Sequence, residues 1–556
     1  MNNMDRTRLI FIGIVGLAVV VICIIAGVVL INNRDQDATA TPVAEVGDIA
    51  TPTRTTSNGG DTSEQLDSPE PVYAPGADLS DGLPTYICGA DAFGSYFTLQ
   101  QMQMAGQDVA NGFHLGIVPF FLDEDPAYDV SEEQRTALLN NGQWDCLLTT
   151  LDSVALTSPG VITAIVDESA GADQLWGRDV TTINDLAGKR IAFARNSVGE
   201  YFLYYSLSIA RLNPRFDVTL VPQDSVADAV AAFNANQADA VSGWEPDIFD
   251  AESSGGQPIL SSAQMRIVVD VIVTSRQSVA NEADLVQSFH NAWFATLKAQ
   301  VEGFDSAAAQ IASWGHNDWS FVYPESAGDD FRAWLTNVAQ ADLGDNAFVM
   351  RDPTPLVNRL EIAKRVWAIS VSGLTIPEYN TADLVDTRFV ERAAQQANLQ
   401  ANGKPINDTF SISAQLDLSG VDVDTADAIT LAVLPCRKFD FLPNSTELTL
   451  EARRQLDECV IPTLQQSIGL FLEVKGSSAW PDVDPFTGAT YTEAEILEFA
   501  EARAQSVVDY LVSQGVDPAR FIVTATLPPE DHRGTADATL QAEDRYVEMR
   551  LITAGR

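Results

Sequence analysis

From Leu83 onward, short apolar runs alternate with amphipathic helical stretches, and this alternation limits the possible folds more than any other feature of the chain. Two parallel strands need a crossover long enough to hold a helix, so such a series folds as an α/β structure with parallel strands. The runs TYICGA (85–90), FHLGIVPF (113–120), WDCLLTT (144–150), VITAIVD (161–167), RIAFA (190–194), FDVTLVP (216–222), ADAVSGW (238–244) and RIVVDVIVTS (266–275) read as strands. Between them, YFLYYSLSIARL (201–212) and SVADAVAAFNANQ (225–237) read as helices. The series divides into two α/β clusters joined by two apolar crossings.

With 556 residues the chain holds three or four folding units at about 150 residues each. It carries 33 Lys plus Arg against 77 Asp plus Glu, a formal net charge of -44 that repels a polyanion and excludes nucleic acid as a partner. Hydrophobic residues make up 46% and charged residues 20%, a globular balance, so most of the chain folds. There are 4 His and 5 Cys, and HExxH, paired CxxC, GxSxG, SxxK and GxxxxGK patterns are missing. No catalytic residue, no metal site and no cofactor is therefore expected, and the chain reads as a non-enzyme.

The run Leu9 to Ile31, LIFIGIVGLAVVVICIIAGVVLI, has no charge. As a helix it extends about 34 Å, enough to cross a hydrocarbon core of about 30 Å, and it exceeds the roughly 7 to 15 residues of a signal-peptide h-region. Arg6 and Arg8 precede it and only Arg34 follows closely, which leaves the N-terminus in the cytoplasm. The expected placement is a single pass through the cytoplasmic membrane in segment 1–32, with the bulk of the chain outside. Residues 33–82, rich in Thr, Pro, Asp, Ser and Gly without apolar period, read as a disordered linker.

INDLAGKRIAFARNSVGEYFLYYSLSIARLN followed by DSVADAVAAFNANQADAVSGWEPDIFD resembles the second lobe of periplasmic solute-binding proteins of the sulfonate, taurine, nitrate and thiamine-precursor (NMT1/THI5-like) family. Upstream, LLNNGQWDCLLTTLDSVAL and VITAIVDESAGADQLWGRD resemble the family's first-lobe segments. The resemblance covers about 83–395. It implies a two-lobed type II binding-protein fold within 83–400, with lobe I from 83–175 and 270–400 and lobe II from 176–269, closing on a small-molecule solute and serving an ABC permease. In open α/β sheets ligands gather where strand C-termini meet helix N-termini. In lobe II those places hold Asn196, Ser197, Val198 and Gly199, with Trp244 and Glu245 at the end of a strand. In lobe I they hold Phe93, Ser95, Tyr96, Thr149, Thr150 and Asp152, with Asp167 and Ser169 at the first crossing. Helix N-termini favour an oxyanion, but Glu200, Glu245 and Asp152 oppose one and Arg195 is the sole nearby cation. Oxyanion, neutral and cationic solutes all stay open.

Residues 401–424 read as a connector, and 425–556 as a compact α+β unit with strands CRKFDF, LFLEVKG, FIVTATL and RYVEMRLI and helices over 447–466 and 492–513. EARAQSVVDYLVSQGVDPARFIVTA resembles the OmpA-like, peptidoglycan-associating domain. That family grips a stem-peptide carboxylate with an Asp after a G-H-T-D strand end and an Arg of N-x-x-L-S-x-x-R-A. Here the strand end is Gly476, Ser477, Ser478, Ala479, and only Arg503 persists. Asp482 or Asp484 would have to replace the lost acid.

Cys88 and Cys146 fall in the binding unit, Cys436 and Cys459 in the C-terminal unit, an even count in each that predicts two disulfides in an oxidising compartment. The chain thus reads as a membrane-anchored solute receptor for ABC-type uptake with a wall-associating C-terminal domain. The alternative is an envelope structural or sensory protein whose lobes do not serve transport.

Overall fold

The computed structural model describes residues 66–553 except 92, 121–129, 315–325, 372–373, 401–427, 437–440, 468 and 485–486. The apolar span Leu9–Ile31 and the connector 401–424 lie outside the described residues, among which no helix is long and apolar enough to cross a membrane.

Two sheets form the α/β body. The first contains β1 (Thr85–Ala90), β2 (His114–Pro119), β3 (Cys146–Thr150), β4 (Val161–Ser169), β10 (Val269–Thr274) and β11 (Val338–Gln340), in the order β11-β4-β10-β3-β1-β2. The second contains β5 (Asp173–Gly177), β6 (Arg190–Ala194), β7 (Thr219–Gln223), β8 (Ala240–Trp244) and β9 (Gln257–Ser261), in the order β7-β6-β8-β5-β9. β1 runs parallel to β2 and β3, and β6 parallel to β7 and β8. In each sheet one antiparallel strand sits beside the third: β10 in the first, β5 in the second. Each is the strand by which the chain enters from the other sheet, so the two sheets repeat one plan and the body is two-lobed.

The strands β2 and β4 are buried along their whole length, which is why they read as continuous apolar runs and not as alternating ones. Helices α1 (Leu151–Thr157), α2 (Val198–Ile209) and α3 (Val226–Asn234) follow β3, β6 and β7. Ser225 caps α3, its hydroxyl accepting from Asp228 N at 3.0 Å, and Val226, Ala229, Val230 and Phe233 form the buried stripe.

Three boundaries differ from the sequence reading. Asp173–Gly177 pairs with β8 and β9, so the first crossing lies at 170–172, ahead of the expected 175/176 division. The strand and β9 escaped notice because DQLWG and QPILS are short and contain Gln, Gly or Pro; pairing across the sheet, not local pattern, makes them strands. Residues 66–82 belong to the folded body and not to the linker. Val72 N donates to Ile117 O at 2.7 Å and Ile117 N to Val72 O at 2.9 Å, and Trp144 Nε1 donates to Ser68 Oγ at 3.0 Å. This segment covers the edge strand β2, whose free backbone groups need a partner.

The third sheet, in the order β12-β15-β13-β14, uses β12 (Ile429–Val433), β13 (Phe471–Ser477), β14 (Phe521–Thr526) and β15 (Val547–Thr553), with the helix α6 (Glu493–Ser513) against it. The first strand is thus ITLAV, upstream of the expected CRKFDF, of which 437–440 lie outside the described residues. A Cβ on Gly476 would meet Ala500 O at 1.9 Å, so glycine lets α6 lie directly on β13. This unit bonds to lobe II. Asn184 Nδ2 donates to Val433 O at 3.0 Å while Val433 N donates to Asn184 Oδ1 at 2.7 Å, and Tyr205 Oη donates to Gln466 O at 2.5 Å.

Both disulfides form as expected. Cys88 and Cys146 are paired neighbours on β1 and β3, with Cα atoms 4.5 Å apart, and Cys436 joins Cys459 at 6.4 Å. Peptide mapping without reductant is expected to recover both linked pairs; four free thiols would contradict it. The double substitution Cys88→Ser with Cys146→Ser is expected to cost about 4 kcal/mol, because the bond spans 58 residues of sequence.

Candidate ligand site at the lobe crossings

The chain passes between the lobes twice, and the two passages are bonded to each other. Ser169 N donates to Val268 O at 3.0 Å, the Ser169 and Ser262 hydroxyls share a hydrogen bond at 2.7 Å, and Gly171 N donates to Ser262 Oγ at 2.8 Å. Glu168, fully buried on the first passage, pairs with Arg266 Nε on the second at 3.1 Å. It also pairs with Arg359 Nη1 at 3.1 Å, from a helix, Thr354–Ala368, that we label α5. Two guanidinium groups on one carboxylate offset the desolvation that a buried charge costs.

Around these passages lies a group of acids of a different kind. Asp167 on β4 faces Asp270 on β10 in antiparallel register, and both are buried. Tyr96, in the short 3-10 turn Gly94–Phe97 after β1, donates its hydroxyl to Asp270. Asp152 lies in the first turn of α1, and Asp173 opens β5. The carboxylates of Asp152 and Asp167 are buried, with the Thr150 hydroxyl against the first and the Ser95 hydroxyl and Asp270 against the second. Among the described residues none of Asp152, Asp167, Asp173 and Asp270 forms an ion pair, whereas the nearby Glu168 has two.

Burial sets their acidity. Desolvation pushes Asp152 and Asp167 well above the carboxylate range, with Asp270 raising Asp167 further. Asp173 is pushed up to about 7 by desolvation, against the Ser169 hydroxyl that lowers it. Asp270 rises to about 6 by desolvation, with the Tyr96 hydroxyl holding it lower. Glu245, on the lobe II side, is raised to about 7 by desolvation although Asn337 and Gln174 donate to it. Asn337 immediately precedes β11 of lobe I, so this bond joins the two lobes. Tyr201 of α2 lies 2% exposed, and after desolvation Asp152 is the main influence raising its phenol.

Of the residues singled out from sequence, Ser95, Tyr96, Asp152, Asp167, Ser169 and Glu245 gather at the crossings. Phe93 stands half-buried and edge-on to Tyr96, with ring centroids 5.5 Å apart. Thr149 and Thr150 are half-buried on β3, where Thr150 lies opposite Asp270. Ser197 caps α2: its hydroxyl accepts from Glu200 N at 3.4 Å and donates to Ala194 O at 2.7 Å, while Val198 is half-buried behind it. Asn196 is exposed, its amide donating to Glu200 Oε2 at 2.6 Å, and Gly199 O accepts from Ser242 Oγ at 2.8 Å. Trp244 lies opposite Asp173 in the β8–β5 ladder and packs half-buried against the apolar cluster of lobe II. Arg195 is exposed and pairs with Asp224 at 3.3 Å. Arg503 is 1% exposed, donates to the backbone carbonyls of Ser445 and Ser477 at 3.2 Å each, and lies between the rings of Phe441 and Phe499. Asp482 is exposed and caps its neighbour Val483 N at 2.9 Å; no bond brings it to Arg503.

Sequence reasoning passed over Asp173, Asp270, Tyr201, Ser262 and the Glu168–Arg266–Arg359 group. The acid inside RIVVDVIVTS was a usable signal, since a charge interrupting a fully apolar strand needs a reason.

A family model described as NMT1/THI5 like matches residues 161–302, a stretch that contains both crossings and all of the second sheet. No curated protein matches the chain. Among solved structures, the alkanesulfonate-binding protein SsuA from Xanthomonas axonopodis pv. citri is 18% identical, covering 55% of this chain and 98% of that one, with a TM-score of 0.40. The periplasmic nitrate-binding protein NrtA from Synechocystis PCC 6803 is 13% identical, covering 58% and 92%, with a TM-score of 0.40. The desulfurization enzyme DSZB is 15% identical, covering 56% and 99%, with a TM-score of 0.35.

The raised acids make a prediction for stability. Asp173 ordinarily titrates at 3.8 and is raised to about 7 here, so between those values the folded state holds a proton that the unfolded state has lost. Stability then falls as pH rises through that window, by a ceiling of about 4 kcal/mol for this one group. Asp173→Asn is expected to gain on the order of 1–3 kcal/mol over the parent at pH 8 and nothing at pH 4, read by thermal unfolding.

Proposed function

We propose that this chain is an extracytoplasmic solute-binding receptor whose two lobes close on a small molecule at the crossings. The observation that carries the reading is the set of buried acids without an ion pair among the described residues, Asp152, Asp167, Asp173 and Asp270, gathered where two sheets of the same plan are joined by two bonded passages. Such groups are costly unless something satisfies them, and a ligand enclosed by closure would do so. The family match over residues 161–302 supports the same reading.

Around this core the receptor is tethered to the cytoplasmic membrane by Leu9–Ile31 and delivers its solute to an ABC permease. The C-terminal unit associates with the cell wall, with Arg503 as the recognition residue that the resemblance carries over. Arg503 is desolvated, lowered to about 10, and sits between two aromatic faces, a setting in which a carboxylate binds a guanidinium strongly. Arg503→Ala is expected to lose retention in a peptidoglycan pull-down while circular dichroism stays unchanged; full retention removes the wall role.

A ligand bound only by the closed, folded form stabilises it by about 2.7 kcal/mol at a hundredfold excess over Kd. A thermal-shift screen of the purified chain against sulfonates, nitrate, pyrimidines and amines is expected to raise the melting temperature with at least one class. A screen in which no class shifts the transition overturns the receptor reading.

A further inference from the structure

We infer that β14, the free edge of the C-terminal sheet, accepts an extended segment of a partner protein as an added strand. The segment that fits is uncharged and β-branched in its middle and basic at both ends. This surface lies apart from the candidate ligand site and does not depend on the receptor reading.

The three sheets have two edges each, and every edge but β14 is blocked. β2 is covered: Val72 and Ile117 bond in both directions, Gln103 Nε2 donates to Leu115 O at 2.7 Å, and Leu115 N donates to Asp108 Oδ2 at 3.0 Å. β11 is only three residues long, and β7 and β9 are interrupted by Pro222 and Pro258. Asn184 bonds both backbone groups of Val433 on β12. Sheets close their edges by such means because bare N–H and C=O groups invite another strand. β14 uses none of them. It reads FIVTAT, six residues without proline or charge and rich in side chains that suit a strand. Among the described residues its backbone bonds to β13 alone. The missing neighbour shows in the burial: all six residues of β14 are half-buried, whereas six of the seven in adjacent β13 are buried.

Both faces of the sheet continue to this edge. Helix α6 packs on β14 as well as on β13, so apolar residues on the helix side of an added strand would not be left in water. Phe521 and Val523 pack in the same apolar cluster as Val507, Val508 and Leu511 of α6. On the other face Ile522 packs with Phe471 and Ile552, and Thr524 Oγ1 donates to Glu473 Oε1 at 2.9 Å. A strand that extends this pattern carries aliphatic residues toward the helix and hydroxyl or aliphatic residues on the open face.

Charge selects the occupant. Asp517 precedes β14, and Glu530 and Asp531 follow it; all three are exposed, and none forms an ion pair among the described residues. The cations near the strand ends are engaged. Arg520 donates to the carbonyls of Leu464, Ser467 and Leu470, Arg533 pairs with Glu493 at 3.7 Å and lies over Trp480, and His532 pairs with Asp544 at 3.0 Å. Basic residues flanking a partner segment would meet the free acids. A second copy of this chain fits worse. Antiparallel pairing of β14 with itself sets Asp517 of one copy near Glu530 and Asp531 of the other, between chains of net charge -44.

The test uses the purified full chain and a synthetic peptide of alternating Val and Thr, six residues to match β14, flanked by Lys on both sides. Fluorescence anisotropy is expected to show binding, and hydrogen exchange to show slower exchange at 521–526 in the complex. The same peptide flanked by Glu is expected to bind about fivefold more weakly, a difference that high salt removes. A Lys-flanked peptide with Pro at both central positions cannot continue the ladder and is expected not to bind. In the protein, adjacent strand residues turn their N–H groups to opposite sides, so one of Thr524→Pro and Ala525→Pro is expected to stay folded and to bind about tenfold more weakly. If both variants unfold, the proline-bearing peptide decides. Equal binding of that peptide, or binding that leaves exchange at 521–526 unchanged, overturns the edge as the site. No binding by the Lys-flanked peptide overturns the proposal, as does protection of every β14 amide in the chain alone. Tighter binding of the Glu-flanked peptide overturns the basic partner. A dimer in sedimentation that the folded proline variant loses assigns the edge to a second copy and overturns the partner segment.

Discussion

The Glu168 carboxylate, shared between Arg266 and Arg359, fixes the place where the two lobes meet. One guanidinium comes from the return passage and the other from α5, so three stretches far apart in sequence converge on one buried charge. Removing either arginine would leave a buried carboxylate half-compensated, a situation that costs about 3–5 kcal/mol in comparable pairs. The Ser169–Ser262 bond and the Ser169–Val268 backbone bond then set the two passages side by side. Every residue of the candidate site is placed relative to this junction: Asp167 is one position before Glu168, Asp173 opens the strand that leaves the first passage, and Asp270 is in the strand that follows the second.

This arrangement sorts the buried acids into two classes. Glu168 is neutralised within the protein and holds the junction. Asp152, Asp167, Asp173 and Asp270 meet only hydroxyls and one another, desolvation prevails, and their acidity moves upward accordingly. Side chains so close in chain position and so different in compensation indicate that the second set is not there for stability, because an apolar residue of similar size would serve stability better.

The order of the α/β elements was legible because buried parallel strands are continuous apolar runs, and eight of those runs fall on strands of the body. Strands β5, β9 and β11 were not legible, since DQLWG, QPILS and VAQ acquire strand geometry from neighbours supplied by distant parts of the chain. The site was partly legible. Rules about strand ends and helix starts pointed to Asp152, Tyr96 and Ser169, but the same rules favoured Ser197 and Asn196, whose polar groups serve the cap of α2. What those rules miss is convergence: Asp270 follows Asp167 by more than a hundred positions, and only the antiparallel ladder brings them face to face.

Helix α2 explains a feature of the sequence that amphipathicity does not. Ten of its residues are buried, because it is covered by the strands of lobe II, by α5 of lobe I and by the C-terminal unit. Its N-terminal Tyr201 looks onto the acids, while Tyr205 and Ser208, one and two turns later, hold Gln466. Among the described residues, the hydrogen bonds that fasten the C-terminal unit to the body all come from lobe II: Asn184, Tyr205, Ser208 and Arg211. In hydrogen bonds, then, lobe I is linked to the C-terminal unit by way of lobe II among the described residues. A load applied to the C-terminal unit would reach lobe II first, in part through α2, a rod only a dozen residues long.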